Sequence, residues 1–184
     1  MVGLLTRDLA DMSATESPGP AIERRDTERA VLLWRKKASA FGCPPPLAEF
    51  DFSRIRGDGG YRFIISGGDV ESSVFLVYGS QFARLLELRE KPVCYKPMID
   101  QLPERYQPLF IEGSRDAITD SAPTRFSGVV EHQDEIELYR AAFMPVRLNA
   151  TSLHALIFGS FNYRVVPRWV LDCDGALIAK RLAN

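Results

Sequence analysis

The residue types that most often carry out chemistry are few and scattered in this chain. His132 and His154 are the only histidines, and neither has a second histidine or a cysteine at the spacing of metal ligands. Cys43, Cys94 and Cys173 are odd in number and form no CxxC motif, which favours reduced cysteines packed as small hydrophobic side chains. The sequence therefore predicts no metal site, no disulfide framework and no cofactor.

Carboxylates in and near glycine-rich turns are the next candidates, and we interpret them as turn formers. A general acid–base pair needs two carboxylates that converge, whereas acidic residues in such turns are mostly solvated. The segment Ser66-Gly67-Gly68-Asp69 lacks the Lys-Ser/Thr of a phosphate-binding loop and precedes a strand, so we expect a hairpin loop there. The carboxylates considered are Asp51, Asp58, Asp69 and Asp116. We expect no catalytic activity from them.

The composition is that of one globular domain. The chain has 184 residues, of which 46% are hydrophobic and 26% charged, and its formal net charge is −1. This balance gives no attraction to nucleic acid or to an anionic membrane. No apolar run approaches the roughly 20 residues that span a bilayer, and the N-terminus has no signal-peptide core. We therefore predict a cytoplasmic protein that binds neither nucleic acid nor membrane.

The chain divides into three parts. Residues 1–22 contain few large apolar groups and are predicted to be a flexible tail. Residues 23–166 are predicted to form the folded domain, including an N-terminal helix, and residues 167–184 a C-terminal extension. Within that extension, Asp174-Gly175 favours a hairpin turn, while residues 176–182 equally favour a short helix.

Hydrophobic periodicity predicts the elements of the domain. Apolar residues at three- and four-residue steps predict a helix over 23–41, which the prolines at 44–46 end. A second helix begins at Ser80, and a third lies in a proline-rich segment, kinked or restarted at Pro108. The predicted strands are 61–65, 74–78, 124–131, 136–148 and 153–165. The predicted fold is α+β: a five-stranded antiparallel sheet covered on one face by short helices, with an N-terminal flanking helix.

The order of these elements resembles a PAS domain, and more closely the compact PAS-like family common in alphaproteobacteria. The resemblance covers roughly residues 28–166. Its main features are Trp34 in the N-terminal helix, a strand ending in Tyr78-Gly79-Ser80 that leads into a helix, and a strand pair finishing in Phe143-Met144-Pro145-Val146. The segments Pro44–Pro46, Phe50-Asp51-Phe52 and Ala122-Pro123-Thr124-Arg125 complete it. The chain departs from the family at Tyr78 and Ser80, where Arg and Thr are frequent, and in its GGDVESS insertion.

The resemblance implies a sensory or regulatory role in bacterial signal transduction. Such a domain acts through protein contacts alone, with a partner protein or as a homodimer, or it binds a small ligand between sheet and helices. Val31, Trp34 and Phe41 are the residues expected to mediate dimerisation or partner docking. An α+β enzyme that uses an unrecognised acidic residue is the third alternative.

A ligand between sheet and helices would be lined by aromatic residues that come from both. The residues expected to line it are Tyr106, Tyr139, Arg140 and Phe161. Arg140 interrupts an otherwise apolar strand face and has two alternatives. If it points inward it needs a carboxylate partner or an anionic ligand, and otherwise a bulge turns it toward solvent.

Overall fold

The computed structural model of the chain describes residues 6–7, 26–50, 60–152 and 155–168. The helices are α1 (Asp26–Phe41), α2 (Ser80–Leu85) and α3 (Gln107–Asp120), with 3-10 turns at Leu47–Glu49 and Glu104–Tyr106. The strands are β1 (Thr6–Arg7), β2 (Arg62–Ile65), β3 (Phe75–Tyr78), β4 (Thr124–Glu131), β5 (Glu135–Arg147) and β6 (Ala155–Pro167).

The strands form one antiparallel sheet in the order β1-β4-β5-β6-β2-β3. Strands β4, β5 and β6 follow one another as neighbours, and the hairpin β2–β3 pairs along the far side of β6. The predicted α+β class and the five-stranded antiparallel sheet are confirmed. The two-residue strand β1 extends the sheet beside β4, within the region where a tail was predicted.

Local sequence explains where the third helix begins and ends. Pro108 lies in the first turn of α3, where its missing N–H breaks no intrahelical hydrogen bond, so the predicted restart at this residue is confirmed. Ser121 ends the helix in the left-handed conformation with a φ of 52°. Pro123 cannot continue a helix, and β4 begins immediately after it.

Helices cover both faces of the sheet. One core lies between the sheet and α2 and α3, and it contains the inward residues Tyr139, Ala141 and Phe143 of β5. A second core lies against α1 and contains the alternate residues Ala142 and Met144. Alternating apolar residues along this strand are typical of a strand buried on one face only, but α1 buries the second face of this part of β5.

Polar contacts fix α1 to the sheet. Asp26 accepts hydrogen bonds from the Arg62 guanidinium and the Ser160 hydroxyl, each at 2.9 Å. Trp34 Nε1 donates to the carbonyl oxygen of Pro145 at 2.6 Å. That oxygen is accessible because β4 pairs with β5 only as far as Phe143.

Candidate functional site

Aromatic rings occupy the space between the sheet and the helices α2 and α3, where a PAS-type ligand would be expected. Neighbouring ring centroids in this cluster lie 4.8 to 6.5 Å apart, which is the ordinary range for packed aromatic pairs. The fully buried members are Phe63, Phe75, Phe82, Tyr106, Phe110, Phe143 and Phe161. These side chains contact each other, so the chain's own rings form the interior.

Two glycines show how closely this interior is packed. A Cβ atom added at Gly113 of α3 would lie 2.2 Å from Cδ2 of Phe143, and one at Gly159 of β6 would lie 2.1 Å from Cζ of Phe63. Both distances are far below the 3.5–4.0 Å at which carbon atoms pack favourably. The backbone and the rings are therefore in direct contact at both positions.

Three of the four residues predicted to line a ligand come together in this cluster. The Phe161 ring centroid lies 4.8 Å from that of Tyr106 and 6.5 Å from that of Tyr139. Arg140 is separated from them, because adjacent residues of a strand point to opposite faces and Tyr139 faces the aromatic core. Arg140 pairs in unbroken register with Ser127 and Asn162, so the structure does not have the bulge that was one of its two alternatives, and its side chain is half-buried.

A buried carboxylate at Glu137 gathers the polar groups at one end of this core. Arg105 donates to it through Nε at 3.0 Å and a second guanidinium nitrogen at 3.2 Å. The Tyr106 hydroxyl donates to Glu137 Oε2 at 2.6 Å, and His132 Nε2 lies 3.2 Å from Oε1. Since the Glu137 side chain is only 7% exposed, these contacts supply the partners that a buried charge needs.

The surroundings of Glu137 favour the protonated forms of Arg105 and Tyr106. Burial and then the hydrogen bond to Glu137 raise the pKa of Tyr106 far above its usual value. Burial opposes the charge of Arg105, but its hydrogen bonds to Glu137 outweigh that effect and raise the pKa of the guanidinium. A tyrosine that keeps its proton and a carboxylate occupied by several donors are poor acid–base catalysts. The cluster instead joins the β4–β5 hairpin to the 3-10 turn Glu104–Tyr106, which directly precedes α3.

The other candidates for chemistry are turn residues, free thiols and Asp116. Asp116 lies within α3, so its interpretation as a turn former is wrong. His132 lies in the β4–β5 hairpin, and Ser66–Asp69 lie in the predicted loop between β2 and β3. Cys43 and Cys94 are free thiols, but Cys43 is only partly buried and Cys94 is exposed, so the expectation of packed cysteines is wrong for Cys94. Among the described residues, no group of three His, Cys, Asp or Glu side chains is arranged to hold a metal ion. The candidates Asp51, Asp58, His154 and Cys173 lie outside the described residues.

The residues predicted to dock a partner on the N-terminal helix mainly face the chain's own sheet. Val31 and Trp34 are 2% and 7% exposed and belong to the second core. The assignment of these two side chains to a partner contact is therefore corrected, because intramolecular packing already buries them. Phe41 lies on the same side of the helix as Trp34, two turns further on, and is 39% exposed.

The most exposed aromatic side chain in the described part of the chain belongs to a loop between α2 and α3. Tyr95 is 89% exposed, and we call residues 89–97 the Tyr95 loop. Gln101 Nε2 donates to the carbonyl oxygens of Val93 and Lys96 at 3.2 and 2.7 Å. Its Oε1 also accepts a hydrogen bond from the Val93 N–H at 3.4 Å. One side-chain amide thus fixes the backbone of the whole turn.

A cleft of about 220 Å³ lies beside the Tyr95 loop. The lining residues are Glu87, Leu88, Arg89, Val93, Tyr95, Lys96, Asp100 and Gln101. Nothing in the hydrophobic periodicity indicated this site, because a glutamine that bonds a distant loop backbone leaves no pattern in the sequence. Glu137 gave no such signal either, because it stands at a polar position of the alternating run Glu135-Ile136-Glu137-Leu138, where a residue facing solvent would be expected.

Comparison with known proteins identifies no relative of this chain. No family model matches it, and no curated protein and no solved structure matches it either. Among the helices of the described residues, none has the length and apolar character that crossing a membrane requires.

Proposed function

We propose that this chain is a PAS-like regulatory domain without catalytic activity, which acts through protein contacts in signal transduction. The observation that carries the proposal is the aromatic interior. Since Tyr106, Phe161 and their neighbours pack against each other, they leave the ligand site of a PAS-type domain occupied by the chain's own side chains. A domain of this kind transmits information through its surface.

The order of elements supports the PAS-like part of the proposal. A hairpin, short helices and a three-stranded meander follow α1 along the chain, and they build one antiparallel sheet with α2 and α3 on one face. We also propose that the protein works in the cytoplasm. The free thiols at Cys43 and Cys94 support this, because a reducing compartment preserves such thiols.

The polar cluster supports a structural interpretation of the titratable groups. Arg105, Tyr106 and His132 all direct their polar atoms to one carboxylate, Glu137. Catalysis requires polar groups that converge on a space where a substrate can lie. Here the groups converge on each other, which favours a role in holding the β4–β5 hairpin and the 3-10 turn before α3 together.

The test is to isolate a partner and to rebuild the complex from purified components. The tagged full-length chain is captured from its native cell, and the proteins retained at stoichiometric amounts are identified and produced separately. Size-exclusion chromatography with light scattering then measures the complex. We expect a defined complex formed by two purified proteins without any added small molecule. Failure of every captured protein to bind in purified form would contradict the proposal.

A further inference from the structure

We infer that the Tyr95 loop is the surface that binds the partner, and that the partner is a protein with an apolar pocket rimmed by carboxylates. This inference rests on the proposed function, since it names the surface and the partner chemistry of the same protein contact. Tyr95 is the residue that would enter the pocket.

Exposure of Tyr95 is unusual for such a large aromatic side chain. At 89% exposed it is more accessible than any other large hydrophobic residue described, the next being Leu32 at 63%. Tyrosine is enriched among the residues that dominate protein interfaces, because it buries a large ring with few rotatable bonds. A ring in this position gains contact area only when a partner covers it.

The loop is also held in one conformation before any partner arrives. Gln101 bonds the turn at Val93 and Lys96, the Tyr78 hydroxyl donates to the carbonyl oxygen of Arg89 at 2.8 Å, and Met98 N–H donates to Ser73 at 2.7 Å. Ordering a flexible loop on binding costs free energy, and a loop that is already ordered avoids that cost. The rigidity is therefore what a recognition surface requires.

Charge determines the kind of partner. The Tyr95 loop contains three cations, Arg89, Lys91 and Lys96, and one carboxylate, Glu90. None of the three cations has an ion-pair partner among the residues that the structure describes. Carboxylates at the rim of the partner's pocket would pair with these cations around the Tyr95 ring. The opposite charges would also accelerate the encounter.

An exposed tyrosine among cations is also a signature of single-stranded nucleic acid binding, and the charge of the whole chain favours protein instead. The chain has 24 acidic and 23 basic residues, far from the basic balance of nucleic-acid binders. The occupant that we infer is therefore a protein, whose carboxylates pair with Arg89, Lys91 and Lys96.

The experiment places a photo-crosslinking phenylalanine analogue at position 95 of the full chain in its native cell. The same analogue at Leu32 is the matched control, because Leu32 is also exposed but lies on α1, on the other face of the sheet. Crosslinked peptides are identified by mass spectrometry. We expect a peptide of another protein, rich in Asp or Glu, that is enriched at position 95 over position 32.

Affinity measurements with that identified protein follow. We expect Tyr95→Ala to weaken binding at least tenfold and Tyr95→Phe to leave it nearly unchanged, because the ring supplies the contact. Gln101→Ala should weaken binding severalfold and accelerate hydrogen exchange over residues 89–97, while the Tm of the chain stays within about 2 °C.

Several results would overturn the inference. They are a crosslink at position 95 to a second copy of this chain or to RNA, no product above the position-32 control, or equal affinity of the wild type and Tyr95→Ala. If the tagged chain still forms a purified complex while position 95 gives no crosslink, the proposed function stands and only the surface is wrong. If no purified complex forms at all, the proposed function itself has failed.

Discussion

Adding one methyl group at Gly113 tests whether the interior is filled. In Gly113→Ala the new Cβ atom would lie 2.2 Å from the Phe143 ring, so the ring or α3 must move by more than 1 Å to reach ordinary contact. Phe143 cannot rotate freely, because its centroid lies 5.3 Å from that of Phe110 and 5.7 Å from that of Phe63. The substitution therefore forces movement in several side chains.

The magnitude follows from two opposed effects. Overpacking a well-packed core typically costs about 1–3 kcal/mol. Replacing a helical glycine with alanine raises the free energy of unfolding by roughly 0.5–1 kcal/mol, because alanine loses less backbone entropy on folding. The difference is about 0–2.5 kcal/mol, and the approach of 2.2 Å to the Phe143 ring puts Gly113→Ala in the upper part of that range, so we expect a loss of about 1–2 kcal/mol in the free energy of unfolding. For a chain of this length that loss corresponds to a Tm lowered by about 2–8 °C.

Urea denaturation of the wild type and the variant measures this difference, with Thr119→Ala as the control. Thr119 lies on the same helix and is exposed, so its substitution should change the free energy of unfolding by less than about 0.5 kcal/mol. If Gly113→Ala is as stable as the wild type, or more stable, the space between α3 and the sheet has room for added atoms. A ligand site there would then be the better interpretation.

Three further predictions address the polar contacts. Glu137→Gln should lower the free energy of unfolding by about 2–3 kcal/mol, because it removes the buried charge that accepts hydrogen bonds from Tyr106 and Arg105, while the exposed neighbour Glu135→Gln should be neutral in the same urea titration. Tyr106 has a pKa raised above its unfolded value of 10.0, so its contribution to stability is complete below pH 10 and is lost as the pH rises further. Thermal unfolding measured from about pH 8 to pH 11 should show this loss, and Tyr106→Phe should make the decline less steep; an equally steep decline in both would refute the assignment. Trp34→Phe should cost about 1–2 kcal/mol because the Pro145 carbonyl oxygen loses its donor, and calorimetry showing no change in Tm would contradict the role given to that bond.

Elements with clear periodicity could be predicted from the sequence. Strand β4 has the predicted bounds Thr124–Glu131, since Pro123 defines where it begins. The restart of α3 at Pro108 was predictable for the same kind of reason, because proline is tolerated in the first turn of a helix and disrupts later ones.

The surface that each face of a helix or strand packs against was harder to predict than the element itself. The apolar stripe of α1 was visible in Val31 and Trp34, but a stripe does not state whether it packs on its own sheet or on a partner. The continuous apolar run from Ala141 to Val146 does indicate burial on both faces, and it outweighs the alternation that surrounds it. Contacts between distant polar groups, such as Gln101 with the Tyr95 loop, depend on tertiary geometry alone.

Native mass spectrometry of the chain, freshly purified from its native cell, tests most directly whether Tyr106, Phe161 and the surrounding rings fill the interior. We expect the protein component to have the mass of the polypeptide alone, whether it is measured by itself or released from a protein complex. A small molecule bound at one per chain, lost only when the fold is denatured, would contradict it.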